Sequence, residues 1–511
     1  MRQKLTHTDT LQLQEVVDIG DLMLLPNESA YPVEETRALQ IAGVLTVGEG
    51  LAHHAQMWDL FALRERYNHD RWHDRGREPA WVTGLPIAVR VHLRASYAAT
   101  EEEVMSIVNG FPFTGILYSI RDDGLANAAE QTFNLRRLGR IRQLGFLQSP
   151  WIRHFERIRM PLSVTTRFLH CNDVFAIASL IGHNLGLSKH RLATLQVAAL
   201  VHDVGTPAGG DSVKIVDLAA MDEDANFPSL LARYDWEPMR KRFGLRTDEL
   251  VATVQNQGIL GQALDFADKI AYVARDTHAC MHHIEGGARG DEQLGLRSLL
   301  WHAQKHPYVC GIWDSITRYG DNIVFTDAGR LLAFLTMRVL LFRELYYHPF
   351  SRFGEFLMSR LLVKSLYLRG RLTRDMLLEM DDTQLLDFLA NEYGVERYGI
   401  TGVLDTCSSN LSACESFRDV GEAEAFARKL RAEGNPFTLI EDNSQLIKTG
   451  DRTLVRTRHG VMPLCDAYPN DVARLRESAS LLPQVHVYYL RDDPSLPREV
   501  LAQLKDELST L

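Results

Sequence analysis

The sequence predicts a mainly α protein, with a helical core over about residues 111–375, a smaller α+β lobe at 376–511 and an N-terminal extension at 1–110. Three observations carry this. Between 111 and 375 apolar residues recur at helical spacing with few breakers. After 376 that period gives way to short alternating runs separated by polar segments. Before 110 neither period is sustained for long, and a chain of 511 residues exceeds what one ordinary core organises.

Taken in order, Leu51–Tyr67 reads as a helix and Ala88–Tyr97 (AVRVHLRASY) alternates like a strand. Asn134–Leu147 is basic and amphipathic, and the arginine-rich stretch Phe155–Arg167 runs into Thr166-Arg167-Phe168-Leu169-His170. Val174–Leu185 is an apolar helix with Asn184 and Gly186 as stop signals, and Arg191–Val204 is the next helix. Asp211–Phe227 is acidic and reads as loop plus a short helix. Gln262–Cys280 and Ala328–Tyr347 are amphipathic helices, which Phe350–Leu368 continues. Beyond the core, Thr383–Glu392 and Ala423–Glu433 read as helices, and Phe437–Glu441, Thr453–Thr457 and Val485–Leu490 as strands.

Composition narrows the function classes. A formal net charge of −10 and a pI near 6.0 argue against a general nucleic-acid-coating role. No apolar run approaches the length of about 18 residues that a membrane span needs, and MRQKLTHTDTLQLQEVVDIG lacks a signal-peptide core. A cytoplasmic protein is the expectation. The six cysteines form no CxxC pair, which suits reduced thiols better than a disulfide framework or a cysteine zinc site.

The chemistry concentrates at Leu200-Val201-His202-Asp203-Val204-Gly205. An apolar run from Val197 leads directly into adjacent His and Asp, and glycine then lets the chain turn. Two such polar side chains on a buried helix are costly unless something satisfies them, and a cation satisfies both. Two other His-Asp pairs, His69-Asp70 and His73-Asp74, lie among Asn, Arg and Trp in YNHDRWHDRGRE, the composition of a solvated face. His170, at the start of one helix, and Asp268, within another, supply further ligands from separate elements. His170, His202, Asp203 and Asp268 together form an imidazole–carboxylate set suited to Zn, Fe, Mn, Ni or Mg. The alternative is that His170 caps its helix and His202-Asp203 forms a local hydrogen-bonded pair.

With Thr-Arg-Phe-Leu-His170, Val-His202-Asp203-Val-Gly and Asp268 in this order, the chain resembles the HD superfamily of metal-dependent phosphohydrolases, whose core is all-helical. Asp268-Lys269-Ile270-Ala271-Tyr272-Val273-Ala274-Arg275-Asp276 is similar to the last metal-binding segment of the deoxynucleoside triphosphate triphosphohydrolases. Arg142-Gln143-Leu144-Gly145, and a later helix with Arg338 and then Tyr346-Tyr347-His348, resemble the sugar- and phosphate-facing segments of the same family. The resemblance spans about residues 134–350. It implies hydrolysis of a dNTP to deoxynucleoside and triphosphate, with a divalent metal ion held by His170, His202, Asp203 and Asp268, and with Mg accompanying the nucleotide. It further implies that Arg167, Lys269 and Arg338 grip the triphosphate, that Gln143 and Leu144 border the deoxyribose, and that Tyr272, Asp276 and Tyr346 complete the sugar pocket. A homo-oligomer is expected on the same ground.

The chain departs from that family after Gly205. Asp211 stands where a second His is usual, Lys214 stands at the place of an acidic partner in some members, and the next loop offers Asp222, Glu223 and Asp224. A His there would protonate a leaving oxygen near neutral pH. Asp211 is suited instead to act as a base or to position water, unless burial raises its pKa. It is also well placed as a helix N-cap. Asp211 and Asp203 are therefore the catalytic candidates. The alternatives are a different nucleotide phosphoester as substrate, or a nucleotide-binding sensor without turnover.

Overall fold

The computed structural model describes residues 123–145, 166–214, 216–285, 312–342, 357–393, 414–417, 419–433, 438–442, 450–480 and 485–489, together with the short strands at 10–12 and 30–32 and residues 346, 347, 352 and 355. The expected elements Leu51–Tyr67 and Ala88–Tyr97, and both His-Asp pairs of YNHDRWHDRGRE, lie outside the described residues.

The fold is mainly α with a small α+β lobe. Helices α1 (Asp123–Thr132), α2 (Arg167–Asn184), α3 (Lys189–Val201), α4 (Asp211–Lys214), α5 (Glu223–Leu231), α6 (Glu237–Phe243), α7 (Thr247–Val254) and α8 (Gly258–Glu285) form its first half. Helices α2, α3 and α8 pack on one another and share the main core, built from Val174, Ile177, Leu180, Leu195, Ala198, Ala263 and Ile270 among others. Local chemistry sets where these helices begin. The Thr166 hydroxyl accepts from Leu169 N at the start of α2, Ser188 does the same for Arg191 N on α3, and Asp222 accepts from Ala225 N on α5. Gly244, with φ 68°, ends α6 in the left-handed conformation that only glycine adopts cheaply.

The helical region also carries a hairpin that the hydrophobic pattern did not predict, β3 (Ile316–Tyr319) with β4 (Asn322–Phe325), after the short N-terminal pair β1 (Thr10–Gln12) and β2 (Ala30–Pro32). Gly320, with φ 60°, opens its two-residue turn, as a Gly-first hairpin turn requires. Four-residue strands are too short for alternation to declare itself, and Ile316, Val324 and Phe325 are buried like helix residues.

Helices α9 (Ala328–Leu341), α10 (Lys364–Leu368), α11 (Arg374–Glu379) and α12 (Asp382–Glu392) complete the helical part. Beyond them, β5 (Cys414–Phe417), α13 (Val420–Ala432), β6 (Thr438–Asp442) and β9 (Val485–Tyr489) form a separate three-stranded antiparallel sheet in the order β5-β9-β6, with α13 packed on it. The intervening hairpin β7 (Leu454–Thr457) and β8 (Gly460–Pro463) instead pairs in parallel with β4 through Phe325 and Val455. Its followers α14 (Leu464–Ala467) and α15 (Pro469–Ser480) bring Leu464, Val472 and Leu475 into the main core. Among the described residues no helix is long and apolar enough to cross a membrane.

The loop after Gly205 is held from three directions. Half-buried Arg137 donates to the carbonyls of Val204 (3.1 Å), Thr206 (2.7 Å) and Met380 (3.0 Å). Asp382, in the first turn of α12, accepts from Gly209 N at 2.8 Å and Arg142 N at 3.0 Å. Gly145, with φ 54°, lies so close that a Cβ there would come within 2.4 Å of the Gly209 carbonyl oxygen. Replacing Asp382 with Ala leaves two backbone N–H groups without their acceptor, each worth about 1–3 kcal/mol when buried. A urea titration of Asp382→Ala should therefore show a stability loss of roughly 2 kcal/mol or more, with Asp382→Asn losing less.

Candidate metal centre

Four side chains from three helices converge here. His170 sits in the first turn of α2, His202 and Asp203 follow the last turn of α3, and Asp268 lies within α8. Ligand atoms of His170, His202 and Asp203 all lie within 4.8 Å of one another. Asp268 Oδ1 is 2.8 Å from His170 Nε2 and 3.9 Å from His202 Nε2, which in turn is 3.8 Å from Asp203 Oδ2. The helix-cap alternative for His170 does not describe this arrangement, since its ring reaches Asp268 and Thr166 provides the cap.

The tautomer of His202 follows from its surroundings. Its Nδ1 is 2.8 Å from the Ala199 carbonyl oxygen, which can only accept, so Nδ1 carries the proton. The Nε2 lone pair then points at the cluster, and this buried atom has no hydrogen-bond partner among the described residues. A lone pair facing two carboxylates calls for a cation. The donor set fits a divalent ion with nitrogen and oxygen ligands, and the Ala199 contact is the outer hydrogen bond that metal-binding histidines commonly make.

In the structure as it stands, the charges are balanced in other ways. Burial works against protonating His170, but the hydrogen bond to Asp268 outweighs it and raises the imidazole pKa. Asp268 is correspondingly lowered, because that hydrogen bond overcomes the cost of burial. Asp203 is buried, yet Arg167 first and then His202 and His170 hold its carboxyl well below the usual range. Arg167 Nη1 lies 3.0 Å from Asp203 Oδ2, and Nη2 binds Asp211 Oδ2.

Asp211 opens the four-residue α4, where its carboxylate is engaged by side chains: Arg167 takes one oxygen and Lys214 Nζ the other at 2.6 Å. Partial desolvation among its neighbours opposes its charge, but Arg167 and Lys214 bring its pKa down to about 2. Asp211 is therefore ionised at neutral pH and is no proton donor. Lys214 also bonds Glu223 at 2.6 Å, and the Thr206 hydroxyl donates to the same Glu223 oxygen at 2.7 Å.

One face of α8 carries Asp265, Asp268, Lys269, Tyr272 and Asp276 at spacings of three and four, which stack along a helix. Lys269 is paired with Asp265. Arg338 of α9 donates to the Tyr272 hydroxyl, and Tyr346 donates to Asp276. Burial pushes the Tyr272 phenol up to about 12. Gln143 is buried with its Oε1 unpartnered among the described residues, and Leu144 packs against the main core. His170, His202, Asp203, Asp268, Arg167 and Asp211 thus form one cluster, while Tyr272–Arg338 and Asp276–Tyr346 are pairs farther along α8. His348 lies outside the described residues.

Two acidic residues without an assigned role lie near the cluster. Asp224, in the first turn of α5, accepts from Asn256 Nδ2 at 3.0 Å and interacts electrostatically with His202 and Lys214. Burial, with Glu223 beside it, pushes its pKa up to about 6, while His202 and Lys214 act in the opposite direction. Glu223 lies against Gly205, where a Cβ would come within 3.4 Å of its Cγ. The acidic run Asp222-Glu223-Asp224 was the only available signal, and it does not reveal which member has its pKa raised.

No protein-family model and no curated protein sequence matches the chain. Solved structures do resemble it. A phosphohydrolase from Bacteroides thetaiotaomicron is 17% identical over 71% of this chain and 95% of its own, with a TM-score of 0.50. A hypothetical protein from Aquifex aeolicus is 15% identical over 75% of this chain and 95% of its own, with a TM-score of 0.49. At these identities the likeness is one of fold.

Two outcomes follow from the geometry. Metal analysis of the purified protein should find a divalent ion at near one per chain, and His202→Ala or Asp203→Ala should lose it. For Asp224 the folded pKa is raised, so its ionisation destabilises the fold above about pH 6, and this penalty fades as pH falls toward the unfolded value of about 4. In metal-free protein, Asp224→Asn should raise the melting temperature at about pH 8 and give a smaller gain at about pH 5.

Proposed function

We propose that the chain is a metal-dependent phosphohydrolase of the HD type, acting on deoxynucleoside triphosphates to release deoxynucleoside and triphosphate. The observation that carries the reading is the convergence of the unpartnered His202 Nε2 with His170, Asp203 and Asp268. The shared fold with a bacterial phosphohydrolase supports the hydrolase class. The deoxynucleotide rests on the resemblance of the Asp268–Asp276 segment to the triphosphohydrolases.

In this reading His170, His202, Asp203 and Asp268 hold the divalent ion. That ion supplies positive charge where a phosphoryl oxygen becomes more negative. Arg167, Lys269 and Arg338 exchange their present partners for the triphosphate, and fixed cations in a water-poor site offset charge that develops in the transition state. Tyr272, Asp276, Tyr346, Gln143 and Leu144 face the sugar. Water attacks the α-phosphorus and the bond to O5′ breaks, so the leaving oxygen must gain a proton. Asp211, ionised, suits the positioning of water. Asp224, whose pKa lies nearer neutral, suits the proton donor.

A second reading, a nucleotide-binding protein without turnover, is favoured by one observation: both groups that replace the usual acid–base pair, Asp211 and Lys214, are locked in ion pairs. A product assay over a dNTP panel with added divalent metal separates the readings. Triphosphate and deoxynucleoside should form, and His202→Ala should reduce the rate by at least about a hundredfold, the scale at which lost catalytic groups are felt. Release of pyrophosphate or phosphate instead would point to another bond, and binding without any product would favour the sensor.

A further inference from the structure

The Asp211 carboxylate occupies a position that the rest of the cluster builds for an anion. Its two oxygens address two different cations, Oδ2 reaching Arg167 Nη2 and Oδ1 reaching Lys214 Nζ. Both cations are held from behind. Arg167 is anchored by Asp203 at 3.0 Å, and Lys214 by Glu223 at 2.6 Å, which the Thr206 hydroxyl fixes in turn. The side chains of Arg167 and Lys214 are 5% and 20% exposed, whereas that of Asp211 is 55% exposed and reaches over from the first residue of a one-turn helix. The anchored parts are thus the cations, and the part nearest solvent is the anion.

A pair of oxygens bridging a guanidinium and an ammonium is also what one edge of a phosphoryl group presents. We propose that Arg167 and Lys214 form a phosphoryl-binding seat, and that Asp211 is a tethered anion that keeps the seat filled until a substrate phosphate displaces it. The charge balance supports this. Two cations face three carboxylates, those of Asp203, Asp211 and Glu223, so an added phosphate meets net negative charge unless Asp211 leaves. Once it leaves, the phosphate inherits both charge-assisted contacts. Lys214 thereby joins the residues that touch the polyphosphate, a role the resemblance does not assign to it. The identity of the phosphate's parent molecule rests on the proposed nucleotide hydrolase reading, but the seat itself does not.

The test is calorimetric titration of the full chain, freed of metal and desalted, with inorganic tripolyphosphate and separately with a deoxynucleoside. Asp211→Asn keeps the shape of the side chain but removes the competing charge, and should bind tripolyphosphate about tenfold tighter than wild type. Lys214→Met should bind it about tenfold more weakly, with Lys214→Arg restoring most of the loss. Neither Asp211→Asn nor Lys214→Met should change deoxynucleoside binding. Melting curves identify any variant that fails to fold, and Asp211→Asn with Lys214→Arg then carries the comparison. Equal or weaker tripolyphosphate binding by Asp211→Asn would overturn the seat, as would an equal effect on the deoxynucleoside or no binding by any of the proteins. The expected binding pattern without turnover of any dNTP leaves the seat standing and removes the hydrolase reading. Turnover with variant-independent binding does the reverse.

Discussion

Much of this molecule depends on one hydrogen bond, from His202 Nδ1 to the Ala199 carbonyl oxygen. It is made within the last turn of α3 and needs no distant partner. It fixes the tautomer and turns the basic Nε2 toward Asp203 and Asp268, at the end of a helix whose Val197, Ala198, Leu200 and Val201 are buried. Lone pairs that face carboxylates in an apolar setting repel one another, and a buried, unpaired charge costs several kcal/mol. The cluster is therefore organised around positive charge. Arg167 supplies it on one side, and on the other the hydrogen bond to Asp268 raises the His170 pKa. A cation at the centre would take His170 in its neutral form, which is how ligand deprotonation couples metal binding to pH.

The loop that follows shows why its charged side chains need not set the fold. Arg137 binds the carbonyls of Val204 and Thr206, Asp382 binds Gly209 N, and Gly145 gives way to the Gly209 carbonyl. Each contact is made to backbone. The course of the loop is thus set by residues far away in sequence, and side chains at 211 and 214 can change charge without changing its path. The outcome is a polar network of Thr206, Asp211, Lys214 and Glu223 whose members satisfy one another. A satisfied network is stable, but it offers few groups that titrate near neutrality.

What the sequence revealed and what it hid divide along the same line. The apolar run before His202 and the turn at Gly205 made that pair stand out from the others. His170 and Asp268 could be read because they lie at a helix start and on a helix of clear period. The partners that complete the site are long-range: Arg137 with Met380, Asp382 with Gly209, Ser212 with Glu355. Contacts separated by well over a hundred residues leave no periodic trace. The β3–β4 hairpin was obscured for a different reason, since its strands are shorter than the window in which alternation can be separated from a helical face.

The face of α8 joins these parts. From Asp268 to Asp276 the helix rises about 12 Å, at roughly 1.5 Å per residue. At one end stands the carboxylate shared with His170. At the other stands Asp276 with the Tyr346 hydroxyl, and between them Tyr272 meets Arg338. The order along the helix is the carboxylate paired with His170, then cation-bearing contacts, then a hydroxyl–carboxylate pair. A rigid helix fixes that order more firmly than a loop could, because its side chains share one axis. The proposed substrate, with phosphates at one end and a hydroxylated ring at the other, has the matching sequence of charges, and an isolated phosphate would leave half of this face unused. On the proposed reading, α8 is the element that measures the substrate, and the cluster after Gly205 decides what becomes of it.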